Sequence, residues 1–160
     1  MPDPFPEPAA RLYLVDDSDD ELALAESFLR RAGAWQEVRA FTDGDVAQEE
    51  FARLTHAEIA ATAAIFIDVK MPGLSGLELL EWIRSRREYD TVPVIISTSS
   101  DHPRDIARAA QAGAQCYLTK FPKVDALAEL LALLPRSYEA STAPEFPLAC
   151  NLLPVGKPTV

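Results

Sequence analysis

The stretch that decides the fold is AIFIDVKMPGLSG, residues 64–76. Its first four residues form a short apolar run, Asp68 follows directly, and a Met-Pro-Gly turn begins at Met71. A short apolar run that ends at a turn is typical of a strand buried on both faces of a parallel sheet. The pattern therefore places a carboxylate at the point where a buried strand ends.

Similar apolar runs recur along the chain, and segments of helical period separate them. The predicted strands are 12–15, 38–41, 64–67, 92–96 and 116–118. Alternation of strands and helices predicts an α/β fold with a parallel sheet and right-handed crossovers. In such sheets ligands bind beyond the carboxyl ends of the strands.

Apolar residues three or four positions apart predict the buried face of each helix. These are Leu22, Ala25 and Leu29 in the first helix, Leu77, Leu80 and Ile83 in the third, and Leu127, Leu130, Leu131 and Leu134 in the fifth. The fourth, about 104–112, ends at Gly113. The second segment begins with Val46, Phe51 and Leu54 and continues to Thr62, which predicts an elongated or broken helix.

Composition limits the function classes. The chain has 160 residues, a net charge of −10 and a pI near 4.6. An acidic chain lacks the basic footprint of a nucleic-acid-binding protein. No apolar run approaches the length of a membrane span, and residues 1–10 lack the order of a secretory signal. We expect a cytoplasmic protein without nucleic-acid or membrane partners.

The predicted organisation is a proline-rich arm over 1–10, one domain over 11–135 and a proline-rich tail over 136–160. The tail is either a linker or an arm that packs on its own domain or on a second copy in a homodimer. Its short length predicts no output domain, so the signal would leave by protein contact.

Polar side chains follow four of the predicted strands. They are Asp16 and Asp17, Asp68, Ser97 and Thr98, and Thr119 and Lys120. Each has an ordinary explanation, such as a helix cap for the first pair or an Asx turn for Asp68. On a parallel sheet, however, all four strand ends face one side, and three crowded carboxylates repel one another. We therefore expect a cation among them.

Oxygen ligands of this kind suit Mg²⁺, and the absence of Cys and His at these positions argues against zinc or copper. Asp17 and Asp68 would be direct ligands, Asp16 would hold a coordinated water, and the backbone carbonyl of Lys70 would complete the set. A carboxylate can also accept a phosphoryl group. Lys120 and the Thr98 hydroxyl would then bind the phosphoryl oxygens.

These residues carry a resemblance to a known family. The matching stretches are LVDD at 14–17, FIDVKMPGLSG at 66–76, VPVIIST at 92–98 and YLTK at 117–120. In this order and spacing they resemble response-regulator receiver domains of the chemotaxis-receiver type. The resemblance implies a doubly wound five-stranded parallel sheet of flavodoxin-like strand order 2-1-3-4-5, with a C-terminal extension.

The resemblance also implies functional roles. Asp68 would be phosphorylated by a histidine kinase, with Mg²⁺ bound by Asp16 and Asp17. Thr98 would turn toward the phosphoryl group and Tyr117 would swing inward in the active state. The chain would be a regulator that signals to a downstream protein target, and it would catalyse only its own phosphorylation and dephosphorylation.

Two features depart from the family pattern. Phe121 separates Lys120 from Pro122, whereas in most receivers proline directly follows the lysine. The second helical segment is also longer than usual. Neither departure changes a reactive group.

Three other functions fit part of the pattern. An aspartate-dependent phosphatase or phosphotransferase of the haloacid dehalogenase type needs Asp-x-Asp, but lysine, Lys70, occupies the position of the second Asp. A flavodoxin-like cofactor binder needs a phosphate loop after strand one, which is missing. A degenerate receiver that only binds partners remains an alternative. Lys70 itself would either obstruct a hydrolytic water at Asp68 or be a solvated loop lysine.

Overall fold

The computed structural model describes residues 11–32, 37–100 and 102–118. Within these ranges five strands form one parallel sheet of order β2-β1-β3-β4-β5. The strands are β1 Arg11–Val15, β2 Glu37–Phe41, β3 Thr62–Ile67, β4 Val94–Ser97 and β5 Cys116–Leu118. The helices are α1 Asp19–Ala32, α2 Gly44–Arg53, α3 His56–Ala60, α4 Gly76–Arg84 and α5 Pro103–Ala112. The predicted fold and strand order are confirmed.

Both faces of the sheet are covered, which explains the continuous apolar strands. Tyr13 and Val15 of β1 belong to a buried cluster that also contains residues of α2, α3, α4 and α5. Leu14 points to the opposite face, where it lies with Leu22 and Ala25 of α1 around a small cavity. Every residue of β3 is buried. No helix in the described ranges is both long and apolar enough to cross a bilayer.

The helix faces follow the predicted stripes in α1 and α4. Leu22, Ala25 and Leu29 are buried, as are Leu77, Leu80 and Ile83. Val46 and Phe51 lie in α2, where Val46 is 51% exposed and Phe51 is buried. The predicted stop of α5 at Gly113 is confirmed, because that residue adopts φ 100°, a left-handed conformation that glycine adopts without steric cost.

The long second segment is a broken helix rather than an extended one. Helix α2 ends at Arg53, and Leu54 adopts an extended conformation. Thr55 then starts α3 with a capping box, in which its hydroxyl accepts from the Glu58 N–H and the Glu58 carboxylate accepts from the Thr55 N–H. Of the two predicted alternatives, an elongated helix or a broken helix, the broken helix is confirmed.

Strand β4 begins at Val94, two residues later than predicted. The N–H of Val92 donates to the Tyr89 carbonyl, at the end of a 3-10 turn over Arg87–Tyr89, and Pro93 has no N–H to give to a neighbouring strand. The predicted fifth helix, the arm over 1–10 and the tail over 136–160 lie outside the described residues.

The amino edge of the sheet, where the parallel strands begin, is stabilised by one guanidinium group. Arg84, the last residue of α4, donates to the carbonyls of Tyr89 at 2.8 Å, Val92 at 2.8 Å and Gly113 at 2.9 Å. It also donates to Oε1 of Gln115 at 2.8 Å. Because these acceptors lie in the segments that lead into β4 and β5, Arg84 fixes the entry of both strands.

Candidate functional site

The carboxyl edge of the sheet brings the predicted acidic residues together through strand pairing. Val15 and Ile67 are partners in the β1–β3 register, so Asp16 and Asp68 leave the sheet side by side. The Asp68 N–H donates to the Val15 carbonyl at 2.8 Å and extends this pairing by one residue. The sheet itself therefore fixes the position of the Asp68 backbone.

Asp16, Asp17 and Asp68 form a carboxylate cluster. One oxygen from each side chain lies within 4.8 Å of the others. Asp16 and Asp68 are buried, whereas Asp17 is exposed. Backbone amides supply some compensation, since Ser18 N–H donates to Asp16 at 3.0 Å and Lys70 N–H donates to Asp68 at 3.4 Å. Such a partly buried, oxygen-only set is suited to a hard divalent cation.

The loop after Asp68 is packed tightly against Asp68 itself. A Cβ atom on Gly76 would lie 1.9 Å from the Asp68 carbonyl oxygen, so any side chain there would displace the Asp68 backbone. The Gly76 N–H donates to the Val69 carbonyl at 3.0 Å. Ser75 then caps α4 through a capping box with Glu78. Gly76 thus lets α4 begin directly beside Asp68.

Strand β4 ends in two buried hydroxyls. The Thr98 N–H donates to the Leu118 carbonyl at 2.9 Å, and Thr98 is fully buried. Ser97 lies on the other face and lines a small cavity together with Asp16 and Asp68. Thr98 is therefore held at the carboxyl edge by strand pairing with β5.

Ser100 links Thr98 to Tyr117. The Ser100 N–H donates to the Thr98 hydroxyl at 3.3 Å, and the Ser100 carbonyl accepts from the Tyr117 hydroxyl at 2.7 Å. The Ser100 hydroxyl donates to the Asp105 carboxylate at 2.7 Å. Tyr117 is 1% exposed, so its ring points inward in this structure.

A shallow groove opens beside the carboxylate cluster. Its polar lining consists of Asp17, Lys70, Ser75, Asp105 and Arg108. Arg108 donates to Glu81 at 2.7 Å, and this hydrogen bond raises the pKa of Arg108. The Lys70 side chain is exposed in this groove.

The structure places most, not all, of the predicted site residues. It brings Asp16, Asp17 and Asp68 together and buries Thr98 and Tyr117 nearby. Thr119 and Lys120 lie outside the described residues, and the Lys70 carbonyl stays a prediction as a metal ligand.

Sequence reasoning missed Gly76, Ser100 and Asp105. Gly76 carried a signal, because glycine is the residue that allows another group to approach the backbone closely. Ser100 and Asp105 resemble ordinary residues at a helix start, and nothing in their spacing distinguishes them.

Comparison with known proteins gives consistent results. The family model described as response regulator receiver domain matches residues 12–132. Protein PilG of Pseudomonas aeruginosa is 32% identical over 126 residues, which are 78% of this chain and 87% of PilG. Transcriptional regulatory protein GltR of the same organism is 34% identical over 127 residues, which are 79% of this chain and 49% of GltR. The chain thus spans about half the length of GltR.

A solved structure shares the fold. The chemotaxis protein CheY4 of Vibrio cholerae superposes with a TM-score of 0.63 at 25% identity, over 76% of this chain and 95% of that one. The parallel sheet, the acidic carboxyl edge and the matched residues 12–132 lead to one conclusion. This chain belongs to the response regulator receiver domain family of two-component signalling.

Proposed function

We propose that Asp68 accepts a phosphoryl group from a histidine kinase and that the chain then signals to a protein target in the cytoplasm. The observation that carries the proposal is the position of Asp68. Its carboxylate is one of three that meet at the carboxyl edge, and its backbone is fixed by pairing with β1 and by the approach of α4. A held carboxylate at a solvent-facing edge is a competent nucleophile.

The transfer step needs little covalent chemistry from the protein. A carboxylate oxygen of Asp68 forms the new bond to phosphorus as the bond from phosphorus to the kinase histidine nitrogen breaks. The electron pair of the broken bond returns to the imidazole. Catalysis of such a step consists mainly of positioning and of neutralising the phosphoryl oxygens.

The carboxylate cluster would hold Mg²⁺ through Asp17, Asp68 and the Lys70 carbonyl, with Asp16 on a coordinated water. When bound, the ion neutralises charge on the phosphoryl oxygens. The chain's own groups would do the rest. Thr98 would donate its hydroxyl to one phosphoryl oxygen, and Lys120 would place its ammonium on another.

The response would run from Thr98 to Tyr117. A hydrogen bond from Thr98 to a phosphoryl dianion contributes about 1.5–3 kcal/mol, whereas a full population shift needs about 5.5 kcal/mol. Thr98 therefore cannot drive the change alone, and Lys120 and a bound target must contribute the remainder. Homodimerisation through the tail is a further route for the output.

Incubation with acetyl phosphate and Mg²⁺, followed by intact mass measurement, tests the proposal. We expect one added phosphoryl group in the wild type, none in Asp68→Asn, and none when the metal is removed by a chelator. A phosphoryl group that persists in Asp68→Asn would contradict the assignment. Sustained turnover of a phosphomonoester would instead indicate a phosphatase.

A further inference from the structure

We propose that Asp105 is a positioning residue that holds Tyr117 inward by fixing Ser100. The regulatory meaning of this inference rests on the proposed function, because Tyr117 matters only if it belongs to the switch. The structural claim concerns the unphosphorylated chain and stands on four hydrogen bonds around one residue.

Ser100 uses both its backbone and its side chain for contacts. Its N–H donates to Thr98 at 3.3 Å and its carbonyl accepts from Tyr117 at 2.7 Å. Its hydroxyl donates to Asp105 at 2.7 Å and accepts from the His102 N–H at 3.4 Å. A residue held from four sides transmits the position of any one partner to the others.

Apart from the bond from Tyr117 itself, the bond to Asp105 is the one of these contacts that comes from outside the loop. Asp105 lies in the first turn of α5, whereas Ser100 belongs to the connection between β4 and α5. A hydroxyl that donates to a carboxylate makes a stronger hydrogen bond than one between neutral groups. Asp105 therefore anchors Ser100 to a helix, and with it the carbonyl that receives the Tyr117 hydroxyl.

Ser100 is buried and Asp105 is partly exposed, in the groove that also contains Asp17 and Lys70. Solvent can therefore reach Asp105, whereas the Ser100 and Tyr117 groups whose positions depend on it are buried. If the bond breaks, the Ser100 carbonyl is free to shift and Tyr117 loses a fixed acceptor for its buried hydroxyl. Loss of this hydrogen bond from the buried Tyr117 hydroxyl favours the outward, hydrated orientation of the ring.

A simpler role for Asp105 has to be separated from this one. A carboxylate in the first turn also stabilises a helix through the helix dipole, whatever it contacts. Ser100→Ala removes the hydrogen bond and keeps the charge. Asp105→Asn removes the charge and keeps an acceptor oxygen, and Asp105→Ala removes both. Glu49→Ala, at an exposed position of α2, is the control for loss of one negative charge.

The experiment measures Tyr117 directly in the full chain without any phosphoryl donor. Tyrosine labelled with ¹³C at Cζ reports the environment of each hydroxyl, and Tyr117→Phe assigns the signal among the four tyrosines. A soluble paramagnetic agent broadens the signal of an outward ring more than that of an inward ring. Parallel spectra of Asp68→Asn keep the result independent of phosphorylation, so failure of the proposed function would not affect it.

We expect Ser100→Ala and Asp105→Ala to increase the outward fraction of Tyr117 by about five- to tenfold. The double variant should match either single variant, because both remove the same bond. Asp105→Asn, which keeps an acceptor oxygen but loses its charge, should increase the outward fraction less than Asp105→Ala, and Glu49→Ala should resemble the wild type. The proposal is overturned if Tyr117 stays inward in both single variants. It is equally overturned if Asp105→Asn matches Asp105→Ala while Ser100→Ala has no effect, since the helix dipole would then be the cause.

Discussion

At the amino edge of the sheet one guanidinium meets four oxygens, whereas at the carboxyl edge three carboxylates meet one another. The Arg84 guanidinium donates to three backbone carbonyls and to the side-chain oxygen of Gln115 at 2.8–2.9 Å, and these contacts tie the end of α4 to the segments before β4 and β5. The carboxylates of Asp16, Asp17 and Asp68 lie within 4.8 Å of each other, with a few amide hydrogen bonds as compensation.

The difference separates an arrangement that serves stability from one that costs stability. Two unit charges of like sign 4.8 Å apart repel by about 3 kcal/mol at an effective dielectric constant near 20. Natural proteins keep unfavourable arrangements of this kind at functional sites, where charge is needed for chemistry. Mutations at the amino edge should therefore change mainly the free energy of unfolding. Mutations at the carboxyl edge should change mainly the phosphorylation of the protein.

The largest expected effect is on the amino edge. Arg84→Leu should lower the free energy of unfolding by about 3 kcal/mol, because four acceptors lose a charged donor at once. Urea unfolding measures the change. Arg31→Leu, on the exposed face of α1, is the matched control and should change little. If Arg84→Leu kept its stability but lost phosphorylation, the assignment of a structural role to this edge would be wrong.

The second largest effect is expected for Gly76→Ala, which should lower stability through a clash at the carboxyl edge. The new Cβ would overlap the Asp68 carbonyl, so we expect a loss of about 2 kcal/mol together with slower phosphorylation from acetyl phosphate. Gly113→Ala is a matched glycine variant at the opposite edge. Strain at its positive φ should cost about 1 kcal/mol and leave the phosphorylation rate of the folded protein unchanged.

Equal slowing of phosphorylation in the two glycine variants would contradict this difference between the edges. It would show that general loss of stability, rather than displacement of Asp68, limits the reaction. Phosphorylation rates normalised to the folded fraction distinguish general loss of stability from displacement of Asp68.

Asp16→Asn should have a smaller effect of opposite sign. In metal-free buffer it removes repulsion from the cluster while the amide oxygen still accepts from Ser18, so the free energy of unfolding should rise by about 1–2 kcal/mol. The extra stability that Mg²⁺ gives the wild type should shrink in the variant. Asp43→Asn, which changes a helix cap that is not part of the cluster, should leave both quantities near wild type. A destabilised Asp16→Asn protein would show that the cluster is not strained.

Lys70→Ala should have the smallest effect on stability, since the side chain is exposed. If the lysine obstructs the hydrolytic water, the lifetime of the phosphorylated state should shorten severalfold. Loss of phosphate over time measures it, with Arg53→Ala on α2 as a control for one basic residue. An unchanged lifetime would identify Lys70 as a solvated loop residue.

The sequence allowed the sheet and the acidic cluster to be predicted because both depend on local patterns. Apolar runs mark strands that are buried on both faces, and Asp16 and Asp68 directly follow two of those runs. Once parallel strands are assumed, their carboxyl ends must meet at one edge. Thr98 could be selected in the same way, because it follows a predicted strand, whereas Tyr117 was selected only through the resemblance to receiver domains.

The remaining contacts depend on how loops and helices fold against one another, which local patterns do not indicate. Arg84 looks like an ordinary basic residue at a helix end, and its acceptors come from two later segments of the chain, the one before β4 and the one before β5. Ser100 and Asp105 meet only because the connection between β4 and α5 folds back on the helix. The start of β4 was misplaced for a related reason, since Val92 is as apolar as a strand residue but uses its N–H in a turn.

The break between α2 and α3 has a consequence for how this architecture can change in length. The additional residues form a separate turn that is capped by Thr55 and packs beside β3 and the 3-10 turn, on the approach to the amino edge. Connections from a helix to the next strand of a parallel sheet lie at that edge, while those from a strand to the next helix carry the reactive groups. Residues inserted between a helix and the next strand can therefore add new surface to the domain without displacing the reactive groups at the carboxyl edge.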